Sequence, residues 1–466
     1  MVSWEESESK QIRRQVFAPN HIHKDLIDQE HCSATGWIKT EDGKLDKRFE
    51  TPYESLFWQS MLAIVDHEFV PQEPLFERLN IEVELPFKDI HLAFGNEIIS
   101  LREALHEEYY FSLLEWVQVI SGKPSGSRDI RPGQIVPNIR YGENYKVRVM
   151  LENYSHSYSS SFDEYSLKDL DKCSKPLELS QVNSALKGLM SLYQGEKFEG
   201  RSILGETILG ALFNDENPSV SKRGALITGA QHANETTGVV GLLRASSEYL
   251  SQTERHPLAI IPVHNVDGYK LYHELLEDNT YHMHHAARYS AHGNDVEYQQ
   301  PQEGFERAAR DKGLELADAV LHLNLHGYPA HEWTRPLTGY IPKNFDLWSI
   351  PKGFFLIMRH WPDYQSQAKQ LIDHVTSELN SVNGLLEYNQ TQLAIYEAHN
   401  GEISFDIING LPVLFQENSE LMCPLTLITE FPDESVQGDQ YTLGHEAQKQ
   451  TILAALSQLG ELQGPQ

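Results

Sequence analysis

Apolar and polar positions change their period several times along the chain, and each change marks an element. Residues 1 to about 80 carry aromatics with no clear period. From Glu97 to Gly122, Leu101, Leu105, Phe111, Leu114 and Val117 recur at near-helical spacing, which predicts an amphipathic helix. IRPGQIVPN (130–138) breaks that pattern with two prolines and a glycine. YKVRVMLEN (145–153) then alternates like a half-buried strand. SHSYSSSF (155–162) is short, serine-rich and polar, and reads as a linker. It places a boundary between about 155 and 180, dividing the chain into residues 1–170 and 171–466.

Beyond the boundary, short apolar runs alternate with helical periods. RGALITGA (223–230) precedes the helical spacing of ETTGVVGLLRASSEYL, and LAIIPVHNVDGY precedes a helix-like segment from about 303 to 317. AVLHLNLHGY, a long helix from Gln365 to Leu379, LPVLFQEN, LTLITEF and a C-terminal helix complete the order. This alternation predicts an α/β domain, a mixed, mostly parallel sheet with helices on both faces, behind a smaller α+β N-terminal domain. Ligands of such sheets sit at the carboxyl ends of the strands.

The 466 residues suit two domains better than one core. A net charge of -29 argues against nucleic acid or an anionic membrane as partner. The first residues, MVSWEESESKQIRR, lack the apolar stretch of a secretory signal. Cys32, Cys173 and Cys423 form no C-x-x-C pair and read as free thiols. Together these features predict a cytoplasmic protein; its oligomeric state is left open.

Four residues meet the strand-end expectation. His232 and Glu235 follow RGALITGA, His326 ends LHLNLH, and Glu430 ends LTLITE. Two imidazoles and a carboxylate suit a catalytic zinc with an open position, and a second carboxylate can carry the proton of the attacking water. H-x-x-E alone is a weak pattern among 22 histidines, and His399–Glu402 satisfies it as well. A polar loop whose histidine caps the next helix accounts for the pair equally. The helical H-E-x-x-H signature is absent, since none of the five His-Glu dipeptides is completed by a histidine.

The order H-x-x-E, N-x-D-G, strand-end histidine and strand-end glutamate resembles the zinc carboxypeptidase family (carboxypeptidase A-like). The likeness runs from roughly Glu199 to the C-terminal helix. It includes Lys197–Ile203 (KFEGRSI), IIPVHNVDGY, the LHGY segment with Tyr328, and ITEF. The resemblance implies one Zn2+ on His232, Glu235 and His326. It implies that zinc-bound water, activated by Glu430, attacks the carbonyl of a peptide or small amide. It also implies that Asp295 orients the first zinc histidine.

The substrate clamp departs from the family. Where the family carries an Asn-Arg pair for the terminal carboxylate, this chain has Glu297 and Tyr298, and a glutamate repels a carboxylate. His285 and Arg288 stand at two family arginines, and Asn234 replaces the arginine often found between histidine and glutamate. The candidates for substrate contact are therefore Arg288, His285, Glu297, Tyr298 and Arg335. Three readings follow: a peptidase with a different arginine on the carboxylate, an amidase or N-acyl amino acid deacylase, or a zinc-binding regulator without catalysis. His282, His284, His285 and His292 read as pocket lining, a solvated loop or a second metal site. WTRPLTGYIP (333–342) reads as a loop beside the active site.

Overall fold

A computed structural model describes residues 2–464, except 8–9, 16, 92–97, 125–126, 128–129, 155–164, 215–221, 330–351 and 434–436. The SHSYSSSF segment, Arg335 and WTRPLTGYIP lie outside the described residues. Two-stranded hairpins occupy the first 49 residues. They lead into α1 (Pro52–Val65), β1 (Arg78–Leu85), α2 (Leu101–Ile120), β2 (Gln134–Tyr141) and β3 (Lys146–Glu152). The three strands form one sheet in the order β2-β1-β3, with β2 parallel and β3 antiparallel to β1. The helical period does end before IRPGQIVPN, and the second half of that stretch opens β2. Pro137 is tolerated because β2 is an edge strand, where a missing N–H interrupts no second ladder.

The remaining chain builds α3 (Leu179–Tyr193), β4 (Glu196–Arg201), β5 (Thr207–Phe213), β6 (Gly224–Gly229), α4 (Thr237–Leu250), β7 (Leu258–Ile261) and α5 (Val266–Leu276). These are followed by α6 (Glu306–Leu316), β8 (Ala319–Tyr328), β9 (Phe355–His360), α7 (Gln365–Leu379) and α8 (Leu385–Asn400). β10 (Asp406–Ile408), β11 (Leu411–Glu417), β12 (Leu425–Pro432) and α9 (Gly438–Ser457) close the domain. Nine strands form one mixed sheet in the order β4-β5-β7-β6-β8-β12-β9-β11-β10. Its centre, β7-β6-β8-β12, is parallel, and antiparallel pairs flank it.

The period of two assigns the faces. Leu325 of β8 packs where Gly238 of α4 leaves no room for a Cβ, so odd residues of β8 face α4. Leu226 of β6 meets Gly313 of α6, and Thr228, two residues on, hydrogen bonds His322 and Asn324. His322, Asn324 and His326 therefore share the α6 side of the sheet. One core runs through this domain and a second through residues 56–139.

The two parts meet along α2, whose Glu103, His106 and Glu107 face His282, His284 and His285. The His106 ring centroid lies 5.7–6.4 Å from the other three imidazoles. All of these residues are buried, which corrects the reading of a solvated loop for His282, His284 and His285; His292 is half-buried and lies apart, against Phe305. Apolar surroundings favour the neutral imidazole. Burial pushes His106 down to about 4 and His284 to about 3, and mutual repulsion within the cluster adds to both shifts.

An unfolded histidine protonates near 6.5, so below that pH the unfolded chain binds protons that the fold refuses. Stability contributed by these two groups is full above about 6.5 and is lost as pH falls, by roughly 2 kcal/mol each at pH 5. His284→Asn is the informative variant, because His284 has a φ of 53° and asparagine accepts that left-handed conformation. We expect denaturant unfolding to show a smaller stability loss between pH 7 and pH 5 in His284→Asn than in wild type. An equal loss in both rejects the assignment.

Candidate metal centre

At the carboxyl end of β6 the chain turns through Ala230, which is fully buried with a φ of 48°. The Glu235 N–H then donates to the His232 carbonyl at 3.1 Å, closing a turn that aims both side chains at one point. β8 delivers the third group. Leu325 lies opposite Gly229, so His326 stands just past the last residue of β6. Its backbone is held by Thr429 Oγ1 and by Gln448 Nε2 from α9.

His232 Nδ1 lies 2.9 Å from Glu235 Oε1, and His326 Nδ1 lies 2.9 Å from Glu235 Oε2. The two Nδ1 atoms are 3.1 Å apart. His232, Glu235 and His326 are the one set among the described residues that brings three ligand atoms within 4.8 Å of one another, and all three are buried. The donors fit zinc. Bonds of 2.0–2.1 Å in a tetrahedron put ligand atoms about 3.3 Å apart, close to the spacing seen. His232 Nε2 lies 3.4 Å from Asp295 Oδ2, so a proton held there leaves the Nδ1 lone pair facing inward.

The electrostatics favour a cation at this point. Burial and Arg288 push the His232 imidazole down, yet Glu235 and Asp295 outweigh them and hold it up at about 9. A proton or a metal ion satisfies that preference, since both compete for the same lone pair. Burial raises Glu235, but His232, Arg288 and His326 hold it well below the usual carboxylate range.

Glu430 lies directly opposite His326 in the parallel β8–β12 register. Its Oε2 is buried without a hydrogen-bond partner among the described residues. Burial, joined by the negative charge of Glu235, pushes its carboxyl well above the ordinary range, against Arg288 and His232. The carboxyl is thus a strong proton acceptor beside the metal donors.

These groups open into a cleft of about 510 Å³. Glu430, His326, Asp295, Arg288, Glu297, Tyr298 and His285 all line it, although their roles differ from a simple clamp. Glu297 is paired with Arg310 of α6, which meets its charge and corrects the view of it as a free repulsive group. His285 is 1% exposed, and its Nε2 meets Glu107 at 2.6 Å, so its ring forms wall and its polar atom is engaged. Arg288 reaches Glu235. Asn234, at the departure noted in the sequence, donates to Asp433 at 2.7 Å.

The N-x-D-G turn has a positional task. Asn265 caps α5 and donates to the Tyr289 carbonyl, while Asp267 accepts from Ser202 and the Leu204 N–H. It thereby ties the KFEGRSI strand and the segment bearing Arg288 to the end of β7. A Cβ at Gly268 would collide with the Ala287 carbonyl, so the turn requires glycine.

Sequence reasoning misses two features of the cleft and one lysine outside its lining. Phe111, Leu114, Glu115 and Gln118 of α2 form part of its wall, which only the packing of the two parts reveals. Arg359 enters from β9, where one charge in FLIMRH is the available signal. Lys352, lowered to about 8 by burial against the pull of Glu430, precedes the same strand.

Residues 178–311 match the zinc carboxypeptidase family. The match spans less than a third of the chain and marks a likeness to that family. The matched region holds His232, Glu235, Asp295 and the N-x-D-G turn, while His326 and Glu430 lie beyond it. Similar solved structures include a metallo-carboxypeptidase from Burkholderia cenocepacia, 14% identical, covering 61% of this chain and 70% of its own, with a TM-score of 0.36. A metallo-carboxypeptidase from Pseudomonas aeruginosa, in complex with (2-guanidinoethylmercapto)succinic acid, is 14% identical over 62% of this chain and 70% of its own, with a TM-score of 0.39. A comparison with curated protein sequences finds no match.

Proposed function

We propose that this chain is a member of the zinc carboxypeptidase family and hydrolyses peptide or amide bonds, with one zinc on His232, Glu235 and His326 and with Glu430 as the proton carrier. The observation that carries this reading is the Glu430 carboxyl, whose Oε2 has no hydrogen-bond partner among the described residues, beside a buried His-Glu-His set and in register on the adjacent strand. Zinc held there supplies a Lewis acid and lowers the pKa of water. Glu430 takes the proton of the attacking water as the C–O bond forms, and returns it to the leaving nitrogen as the C–N bond breaks. Asp295 fixes the tautomer and ring of His232. The ion pair of Glu297 with Arg310 speaks against a substrate chosen for a cationic group. The free state of Cys32, Cys173 and Cys423 supports placement in a reducing compartment, which we propose is the cytoplasm.

The test is hydrolysis by the zinc-loaded protein of one peptide series with free and amidated C-termini. We expect release of the terminal residue from free-acid peptides. Cleavage of amidated peptides alone would replace carboxypeptidase action by amidase action, and no cleavage of either would sink the hydrolase reading.

A further inference from the structure

We propose that Arg359 receives a carboxylate of the substrate at the far end of the cleft, so that the protein selects substrates anionic at that position; this rests on the hydrolase reading above. The placement follows from register. β9 runs antiparallel to β12, with Phe355 opposite Glu430, Ile357 opposite Ile428 and Arg359 opposite Thr426. On the other side Arg359 pairs with Gln416 of β11. By the period of two, Arg359 shares the sheet face of Glu430, four residues or about 13 Å along the strand. Ile357, Ile428 and Leu414 form an apolar floor between them. The arginine's own length closes part of that gap, leaving space on the scale of one substrate residue.

The charges of the cleft single out this arginine. Arg288 is committed to Glu235, Glu297 to Arg310 and Asp295 to His232. Arg359 Nε donates to Gln416 Oε1 at 3.0 Å, and among the described residues no carboxylate pairs with it. It is a half-buried cation on an inner strand whose other residues are buried, in a chain with 67 acidic residues against 38 lysines and arginines. Glu297 and Glu430 act on this arginine only through space, without contact, so a ligand carboxylate can supply the direct partner that a partly desolvated guanidinium favours. Gln416 engages Nε and orients the guanidinium, which leaves the terminal nitrogens for a two-point carboxylate contact.

The carboxylate can be the C-terminal one or the side chain of a terminal acidic residue. Three peptides separate these sources: acetyl-Phe-Ala-Glu, acetyl-Phe-Ala-Gln and acetyl-Phe-Ala-Gln amide. kcat/KM is measured for zinc-loaded wild type and Arg359→Gln. Affinity for the same peptides is measured by calorimetry on Glu430→Gln, with and without Arg359→Gln. If the side chain is read, wild type prefers the Glu over the Gln free acid by roughly 10- to 100-fold. If the terminal carboxylate is read, that preference separates the Gln free acid from its amide. In either case Arg359→Gln reduces the ratio below threefold, and Arg359→Lys recovers part of it, which a folding defect does not.

Unchanged ratios in Arg359→Gln overturn the assignment, as does failure of the wild type to bind the acidic peptide at all. Selective binding that depends on Arg359 without turnover of any peptide retains the assignment and removes only the hydrolase reading.

Discussion

Replacing Glu430 with glutamine is expected to lower kcat for peptide hydrolysis by roughly 10³-fold, within the range for loss of a general acid–base group. The substitution keeps the volume of the side chain and removes only its ability to take a proton. Among the described residues Glu430 makes no ion pair and its Oε2 has no hydrogen-bond partner, so no described contact is broken at that atom. Zinc content and KM are therefore expected to stay close to wild type while kcat falls. The pH profile gives a second readout. Burial and Glu235 raise the carboxyl, and it acts only when ionised, so wild-type activity rises as pH passes upward through its pKa. That limb is expected to vanish in Glu430→Gln. A residual kcat within tenfold of wild type removes Glu430 from the reaction.

The second large effect concerns zinc and stability. A ligand that binds only the folded state stabilises it by mass action, by about 4 kcal/mol at a thousandfold excess over Kd. Wild type is expected to melt several degrees higher with zinc than after treatment with a chelator. His326→Ala removes a donor brought in from β8, 91 residues from Glu235, and its melting temperature is expected to be indifferent to zinc. An equal zinc-dependent rise in the variant places the metal elsewhere.

The parts of the domain that carry these predictions are largely legible in the sequence. RGALITGA, AVLHLNLHGY and LTLITEF are apolar runs bounded by polar or glycine-bearing turns, and they become β6, β8 and β12. The α7 helix occupies Gln365–Leu379 as its period predicts. Strand ends then place His232, Glu235, His326 and Glu430 in one region, since parallel neighbours in register carry their last residues to the same edge. Elements without a clean period escape. α8 is polar around much of its circumference, so its sequence shows no apolar stripe. α1 is announced by Thr51-Pro52-Tyr53-Glu54, a capping box with proline at the first helical position, a signal that apolar periodicity alone overlooks.

Long-range charge pairing is harder to read. Glu107 meets His285 across 178 residues, and nothing local predicts that contact. Glu297 looks repulsive in the linear chain and is neutralised by Arg310 once α6 folds beside it. Arg359 looks like one more surface charge until β9 is seated between β12 and β11.

Metal analysis of the purified protein, repeated on His232→Ala and Glu235→Ala, tests the central claim most directly. The structure predicts about one zinc per chain in wild type and little in either variant, because each substitution removes a donor of the three-residue set. Near-stoichiometric zinc retained by both variants would contradict it.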